Sequence, residues 1–386
     1  MPDSFTESSS QSIFGRLGDA IKGVLVGLIL IPVSIILLFW NEGRAVKTET
    51  SLKQGASAVV SITPDSVKPA NEGQLVHLSG EATTGDLVGD ARFGVSQNAI
   101  RLTRTVEMFQ WQEEKKSETQ KKLGGGTETQ TTYSYTKKWS AKPIRSSEFK
   151  HPEDHQNPDS MIGEPLATVA IHVTLGQFNL PPAIIALMHG DQPVALTDAD
   201  VAKLPADLKA KTKCAGDAFY LGADPAAPAI GDQRVTFTVL KPATFSILAR
   251  QTGQTLDAFP TQAGREIERV ESGNVSAAAM FQHAKSENSV LTWVIRVGGT
   301  LLMALGLGLI LSPLATVADV LPLLGDLVGL GVSVAALLLA IMISAVVIAV
   351  AWFAVRPLLS LALVAAVLGV WFAVKRSANK PCLAQA

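Results

Sequence analysis

The sequence predicts an α+β membrane protein with four transmembrane helices, one N-terminal and three C-terminal, and a large β-rich extracytosolic domain. Two observations support this prediction. One apolar stretch lies near the start of the chain and three lie near its end, and the residues between them are mostly polar. A helix needs about 20 apolar residues to cross a bilayer core of about 30 Å, and each stretch is long enough to span.

These stretches divide the chain into eight segments. They are a cytoplasmic tail (1–20), a first span (21–40), the extracytosolic domain (41–289), a second span (290–311), a cytoplasmic loop (312–327), a third span (328–355), a fourth span (357–374) and a cytoplasmic tail (375–386). The first span is predicted to be an uncleaved signal anchor. It is about twice as long as the apolar core of a usual signal peptide, and no small-x-small cleavage site follows Trp40.

Positive charges predict which side of the membrane each segment occupies. Lys375, Arg376 and Lys380 directly follow the fourth span, and basic residues next to a span favour the cytoplasm. Four spans then return the N-terminus to the cytoplasm and leave residues 41–289 outside. Basic residues flank the first span on both sides, but long domains translocate largely regardless of charge.

The domain is predicted to be rich in strands, with a long hairpin arm. Residues 100–111 alternate with a period of two, and a second strand carries Tyr133, Tyr135 and Trp139. The polar segment 113–132 between them is predicted to be a flexible hairpin tip, because it has nothing to bury. Further strands are expected at 56–61, 74–79, 167–175, 235–240 and 244–250, and helices at 182–188, 198–208 and 274–287.

Composition argues against several classes of protein. The formal net charge is −1, so nothing favours nucleic acid as a partner. The only cysteines are Cys214 and Cys382, which excludes a zinc site built on cysteines. His151 and His155 have a metal-ligand spacing, but the prolines around them favour a polar surface turn. No nucleophile has a recognisable base. We therefore expect no enzyme activity, no metal and no cofactor.

A polar cluster is predicted at the membrane boundary. Asn41, Glu42, Gly43 and Arg44 directly follow the first span, and Arg296 lies near the start of the second. Glu42 and Arg44 are expected to pair with each other or with Arg296. Such ion pairs are stronger at the partly dehydrated membrane interface than on a fully solvated protein surface. The cluster is interpreted as a structural clamp, and the alternative is a cation-binding or pH-sensing Glu42.

Small residues in the second span predict close helix packing. They are Gly298, Gly299, Gly306 and Gly308. Small side chains let helices approach closely in lipid, either within one subunit or between subunits. The remaining spans have no ionisable residue at their centres, which argues against a transporter but leaves open a channel formed between subunits.

Several segments together resemble one known family. They include Phe39-Trp40-Asn41-Glu42-Gly43-Arg44, Arg104-Thr105-Val106-Glu107-Met108-Phe109-Gln110-Trp111, Tyr133-Ser134-Tyr135…Trp139, His155-Gln156-Asn157-Pro158, Gly231-Asp232-Gln233-Arg234-Val235 and Ala249-Arg250-Gln251. Their order and composition, over about residues 21–376, are similar to the LUMA or transmembrane protein 43 family. The motif residues singled out by this resemblance are Glu107, Trp111, Tyr133, Tyr135, Trp139, His155, Asn157, Pro158 and Arg250.

The resemblance implies four spans, a large extracytosolic domain and a role as a scaffold. Animal members are described as self-associating scaffolds of the endoplasmic reticulum and inner nuclear membrane, and bacterial members also exist. The alanine-rich, lysine-poor spans favour a prokaryotic member here. The expected location is then a bacterial inner membrane with a periplasmic domain, or the endoplasmic reticulum or nuclear envelope if the chain is eukaryotic.

The predicted function is a non-enzymatic integral membrane scaffold that self-associates as a homo-oligomer. Its expected partners are the lipid bilayer, copies of itself and other membrane proteins, which its external domain would organise. The alternative is an oligomeric cation channel with Glu42 near the pore mouth.

Overall fold

The structure, a computed structural model, describes residues 3–355. The chain divides into two compact units. The soluble unit contains the residues up to Ser9, Ser51–Thr119 and Thr129–Ala284, and the membrane unit contains Ser10–Thr50, Gln120–Glu128 and the chain from Lys285 onward. The predicted fourth span (357–374) and C-terminal tail (375–386) lie outside the described residues.

The described chain contains both strands and helices. In chain order the strands are β1 (Asp3–Gln11), β2 (Val60–Ser61), β3 (Leu75–Thr84), β4 (Leu87–Asp90), β5 (Val95–Asn98), β6 (Arg101–Lys121), β7 (Thr127–Ser140), β8 (Leu166–Val169), β9 (Val173–Leu175), β10 (Phe178–Asn179), β11 (Gln192–Pro193), β12 (Thr212–Ala215), β13 (Ala218–Leu221), β14 (Gln233–Leu240), β15 (Ala243–Thr252), β16 (Thr255–Asp257), β17 (Phe259–Pro260), β18 (Glu266–Ile267) and β19 (Arg269–Ser272). The helices are α1 (Ile13–Ala58), α2 (Pro182–Ala186), α3 (Asp198–Val201), α4 (Ala206–Lys209), α5 (Ala277–Ala318) and α6 (Pro322–Val355), with two short 3₁₀ turns at Pro69–Asn71 and Ser146–Glu148.

Two sheets form most of the soluble unit. One has the order β1-β7-β6-β14-β13-β12, with β11 on β14 and β8 on β6, and the other has the order β19-β15-β16-β10-β9-β3-β2, with β15 also on β3. In the first sheet Val106 lies opposite Val235, and in the second Ile247 lies opposite Leu78. All four side chains are buried, so these registers supply the apolar core.

The alternating pattern of β6 places every second side chain from Leu102 to Gln110 on one buried face. Leu102, Val106 and Met108 are buried on one face, and the same face buries Arg104 and Gln110. Arg104 is satisfied because it pairs with Asp90 and donates to the backbone carbonyl of Glu164 at 2.9 Å. A buried charge with such partners costs much less than an unpaired one.

Four predictions of local structure need correction in the soluble unit. The predicted strand 167–175 is two strands, β8 and β9, which lie in different sheets. Only Val60–Ser61 of the predicted strand 56–61 is extended, since α1 continues to Ala58. The predicted helix 198–208 is two short helices, α3 and α4, because Pro205 interrupts the pattern. The segment 113–132, predicted as a flexible hairpin tip, is mostly strand, since β6 continues to Lys121 and β7 begins at Thr127.

The arm is held by contacts that do not require an apolar core. The Ser117 hydroxyl lies 3.0 Å from that of Thr131, and the Thr119 hydroxyl lies 2.9 Å from that of Thr129. Such cross-strand hydroxyl pairs stabilise a ribbon even where both faces are exposed. The mobility of the tip stays a prediction.

Three helices of the described chain are long and apolar enough to cross a membrane: Ile13–Ala58, Ala277–Ala318 and Leu323–Val355. The predicted loop 312–327 is mostly helical, because α5 runs to Ala318 and α6 begins at Pro322. Pro313 lies inside α5, which membrane helices tolerate when neighbouring groups satisfy the freed backbone.

Helices α1 and α5 pack through glycines. A Cβ added to Gly299 would lie 2.7 Å from Leu38 Cδ2, and one added to Gly306 would lie 3.2 Å from Ile31 Cγ1. A Cβ added to Gly298 or Gly308 would meet nothing within 4 Å. Only two of the four predicted packing glycines therefore lie in this contact.

Two contacts conflict with the predicted sides of the membrane. Strand β1 is hydrogen-bonded to β7, although residues 1–20 and 41–289 are predicted to lie on opposite sides. Within the membrane unit, Lys121 Nζ lies 2.6 Å from Asp319 Oδ1, and Arg16 also pairs with Asp319. Polar strands cannot pass through hydrocarbon, so these contacts and the predicted sides of the membrane cannot both hold at once.

Candidate functional sites

The predicted boundary cluster is assembled between α1 and the other membrane helices. The Glu42 side chain is 2% exposed and accepts two hydrogen bonds from Arg296, Nε to Oε1 at 2.7 Å and Nη2 to Oε2 at 2.8 Å. Trp352 Nε1 donates to Glu42 Oε2 at 2.8 Å. Both carboxylate oxygens are therefore occupied by donors, and the negative charge is balanced by one guanidinium.

Asn41 and Arg44 form a second layer of this cluster. The fully buried Asn41 donates to the backbone carbonyl of Thr292 at 3.1 Å and accepts from Arg44 Nη2 at 3.2 Å. Arg44 also donates to Asn288 Oδ1 at 2.9 Å and to Thr292 Oγ1 at 2.8 Å. A Cβ at Gly43 would meet nothing within 4 Å, so close packing does not require a glycine there.

This geometry is that of a clamp between two membrane helices. Glu42 pairs with Arg296 rather than with Arg44, and Arg44 uses neutral oxygens on α5. The Arg296 guanidinium also lies over the Trp293 ring, 5.0 Å from its centroid, which adds a cation–π contact. Three donors of the described residues already occupy the Glu42 carboxylate, and Arg296 already balances its charge.

Family-motif residues in the soluble unit gather into two sites. The first is an aromatic cluster around Tyr135, whose ring stacks on His155 with centroids 3.8 Å apart. Trp111 meets the same imidazole edge-on at 4.8 Å. Asn157 fixes the backbone, since its side chain accepts from Trp111 N at 2.7 Å and donates to Trp111 O at 2.9 Å.

The Tyr135 hydroxyl is enclosed by polar partners. It donates to Glu113 Oε2 at 2.7 Å and accepts from the backbone N–H of His151 at 3.0 Å. Burial and the adjacent Glu113 carboxylate raise the pKa of Tyr135 to about 12. His155 Nδ1 lies 3.0 Å from the carbonyl of His151, so this histidine pair makes a turn contact. Among residues 3–355, no group of three His, Cys, Asp or Glu side chains is arranged to hold a metal ion.

The second site is a groove of about 380 Å³ near the end of β7. Arg234 Nε donates to Glu107 Oε2 at 2.6 Å, and its guanidinium lies 4.6 Å from the centroid of the Trp139 ring. Trp139 meets Tyr220 edge-on at 6.1 Å. Burial and the hydrogen bond to Asp232 raise the pKa of Tyr220, so its hydroxyl stays a donor.

The other motif residues lie apart from these two sites. Tyr133 lies beneath Lys115, whose Nζ is 5.9 Å from the ring centroid. A Cβ on Gly231 would lie 3.1 Å from Pro158 Cγ, so the Pro158 ring packs against the backbone at Gly231. Arg250 pairs loosely with Asp257 at 3.7 Å.

Some contributing residues were not singled out from the sequence. Arg234 lies inside a stretch that resembles the family, so that signal could have identified it, whereas Trp352 lies in the predicted third span, where no sequence signal points to its contact with Glu42. Tyr220 and Glu113 belong to no such stretch, and only the order of the strands brings them to these sites.

Comparison with known proteins identifies the family. The family model described as transmembrane protein 43 matches residues 108–357. Transmembrane protein 43 of Homo sapiens is 35% identical over 367 residues, covering 92% of this chain and 90% of the human protein. The Mus musculus protein of that name is 34% identical over 366 residues, covering 92% and 89%. The homolog from Drosophila melanogaster is 28% identical over 287 residues, covering 73% and 74%.

No solved structure matches the chain. The relatives named above come from animals, so they give no support to the bacterial origin suggested by the composition of the spans. The matched region includes both sites of the soluble unit except for Glu107, and the coverage by the human protein extends the similarity to most of the chain. The chain belongs to the transmembrane protein 43 family.

Proposed function

We propose that this multi-pass membrane protein is a non-enzymatic scaffold whose soluble unit binds segments of partner proteins, including copies of itself. The observation that carries the proposal is the groove formed by Trp139, Tyr220 and Arg234. Trp, Tyr and Arg are the residues most enriched where protein interfaces gain their binding energy. Three such side chains around one concave surface favour recognition of a protein segment.

The groove has features expected of a binding surface and few of a packed core. Pro225 and Pro228 form part of its lining and are half-exposed, and the Arg234 side chain is 38% exposed. Both charged side chains of the Arg234–Glu107 pair line the groove. A bound segment would cover the Trp139 ring and place polar groups against this pair.

The boundary clamp, formed by Asn41, Glu42, Arg44 and Arg296, supports a structural role for the membrane unit. Its polar side chains hold α1 against α5 through the Glu42–Arg296 and Arg44–Asn288 contacts. A fixed arrangement of helices within the membrane unit suits a structural role.

The mass of the full chain in nanodiscs tests this proposal. We expect the wild-type protein to form a defined oligomer and Pro228→Glu or Trp139→Ala to shift it toward the monomer. Tyr133→Ala is the matched control, since Tyr133 lies outside the groove on the same strand as Trp139. A wild-type monomer would refute self-association, and equal effects of the groove and control variants would refute the role of the groove.

The alternative of an oligomeric cation channel has less support. Its acidic residue, Glu42, is 2% exposed and accepts hydrogen bonds from Arg296 and Trp352. Cation flux into sealed liposomes separates the two functions. A channel that uses Glu42 would conduct and would change its flux in Glu42→Gln, whereas a scaffold would show no flux in either protein.

For location, we propose the endoplasmic reticulum or the nuclear envelope rather than a bacterial inner membrane. The animal relatives support this choice. Imaging a tagged full-length chain in cells of its source, with markers for each membrane, would test it.

A further inference from the structure

Two cavities of different polarity meet at the boundary clamp. The apolar cavity has a volume of about 580 Å³ and lies between α5 and α6. The polar cavity has a volume of about 330 Å³ and lies on the side of the clamp toward Glu49 and Lys285. Trp293, Arg296 and Trp352 line both cavities. Together they form one amphipathic site, because an occupant can extend from one cavity into the other.

The apolar cavity has the size and depth of a site for a hydrocarbon chain. Its volume falls in the range of about 300–1,000 Å³ that is typical of small-molecule sites. On α6 its lining runs from Trp352 to Leu337, which at about 1.5 Å per helical residue corresponds to about 22 Å. That depth exceeds the half-thickness of a bilayer core of about 30 Å, so an extended acyl chain fits along it.

The lining of this cavity below its mouth is apolar except for Thr300 and Ser344. Leu301, Leu337, Ile341 and Ile348 supply aliphatic surface, and Ala345 and Ala349 leave room between them. The two tryptophans lie at the mouth, and indole rings favour the interface between headgroups and hydrocarbon. The mouth of the cavity therefore lies where a lipid headgroup would lie, and its apolar end, away from the clamp, lies where an acyl chain would lie.

The polar cavity carries balanced charge. Glu42 and Arg296 neutralise each other through their bidentate contact. The other charged residues of the lining are Glu49 and Lys285, one of each sign. Ser289, Asn288 and Thr292 add neutral polar groups. Such a lining matches a headgroup that has one anionic and one cationic part.

We propose that the two cavities form a binding site for one phospholipid with a zwitterionic, primary-amine headgroup, of the phosphatidylethanolamine class. One acyl chain occupies the apolar cavity between α5 and α6. Lys285 binds the phosphate, and Glu49 accepts hydrogen bonds from the primary ammonium. A headgroup without an N–H donor, such as that of phosphatidylcholine or phosphatidylglycerol, loses the second contact.

Native mass spectrometry of the full-length, delipidated protein in mild detergent tests this assignment. Palmitoyl-oleoyl phosphatidylethanolamine, phosphatidylcholine and phosphatidylglycerol are added separately at equal concentrations. We expect the first to bind about tenfold more tightly than the other two, which corresponds to one additional favourable contact. Equal binding of all three, or preference for phosphatidylglycerol, would overturn the assignment of the headgroup.

Three variants test the location of the site. Ala345→Trp fills the apolar cavity and should abolish the bound lipid, whereas Val346→Trp adds the same ring on a neighbouring residue outside the lining and should not. Lys285→Ala removes an exposed charge and should weaken binding about tenfold without disturbing the fold. Lipid that persists in Ala345→Trp, or is lost equally in Val346→Trp, would overturn the proposed site.

Discussion

The Glu42 carboxylate and the Arg296 guanidinium form two parallel hydrogen bonds, at 2.7 Å and 2.8 Å, that join α1 to α5. The acid is 2% exposed, and the arginine side chain is 16% exposed. A bidentate pair with so little water around it is stronger and geometrically stricter than a surface ion pair. The relative placement of the two helices therefore depends on both partners.

Removing only one partner of this pair should destabilise the membrane unit strongly. Arg296→Met leaves the Glu42 carboxylate buried without its counter-charge, and we expect a loss of about 3–5 kcal/mol in the free energy of unfolding. The double variant Glu42→Gln/Arg296→Met should lose much less, because neither charge is then stranded. Thermal unfolding in nanodiscs, arranged as a double-mutant cycle, measures the coupling. Additive single effects would contradict a direct pair.

Glycine substitutions in the membrane helices should separate packing positions from neutral ones. A Cβ on Gly27 would lie 2.5 Å from the backbone oxygen of Gly306 and 2.9 Å from Ile310 Cγ1. Because a backbone atom cannot move aside, Gly27→Ala forces the helices apart, and overpacking of this kind costs about 1–3 kcal/mol. Gly308→Ala meets nothing within 4 Å and should be neutral or slightly stabilising. Thermal unfolding of both variants checks this, and equal midpoints would contradict the packing.

The phenol of Tyr135 should make the soluble unit sensitive to alkali. Burial and Glu113 raise its pKa to about 12, whereas a phenol in an unfolded chain titrates near about 10. The folded protein then keeps a proton that the unfolded chain loses. The contribution of Tyr135 to the free energy of unfolding is fully present below about pH 10. It is lost as the pH rises toward about 12, by up to about 1.4 kcal/mol per pH unit.

Tyr135→Phe tests this dependence, because phenylalanine has no proton to lose. At neutral pH we expect a loss of about 1–2 kcal/mol from the broken contacts with Glu113 and the His151 N–H. Between pH 10 and 12, as given by these pKa values, the variant should lose less stability than the wild type. Denaturation curves of the full chain across this range measure both effects. Parallel alkaline profiles would show that another group is responsible.

The sequence was informative where local chemistry decides the structure. The alternation in β6 follows from the two faces of a strand, and the positions of Glu42 and Arg296 near the ends of two spans made their pairing one of two predicted alternatives. The groove could not be predicted in this way. Trp139, Tyr220 and Arg234 are far apart in the chain and meet only because β13, β14, β6 and β7 lie in that order.

The arm illustrates a second limit of the sequence. Composition between 113 and 132 correctly indicates that most side chains there are not buried, with Thr127 an exception, yet the backbone is paired for most of its length. Backbone hydrogen bonds are available to every sequence, and the threonine-rich composition favours extended structure. Absence of an apolar face therefore predicts exposure, and it does not predict irregular backbone.

The pairing of β1 with β7 and the crossing of a bilayer by α1 exclude each other. A crossing places residues 3–11 and the chain after residue 44 on opposite faces. Burial of one large apolar side chain contributes about 1.5–3 kcal/mol, whereas a backbone hydrogen bond contributes a net of about 0.5–1.5 kcal/mol. The apolar segment 21–40 thus outweighs a nine-residue polar edge strand, and we expect the pairing to open when α1 inserts.

Paired cysteines should reveal this opening. The hydroxyls of Thr6 and Thr132 lie 3.0 Å apart, so Thr6→Cys/Thr132→Cys places two thiols across the β1–β7 pair. In a background without native cysteines, we expect no disulfide in sealed vesicles after mild oxidation, because the bilayer separates the two strands. Ser117→Cys/Thr131→Cys is the matched control within the arm and should cross-link readily. A disulfide between residues 6 and 132 in vesicles would mean that α1 does not cross the bilayer and that the signal-anchor prediction is wrong.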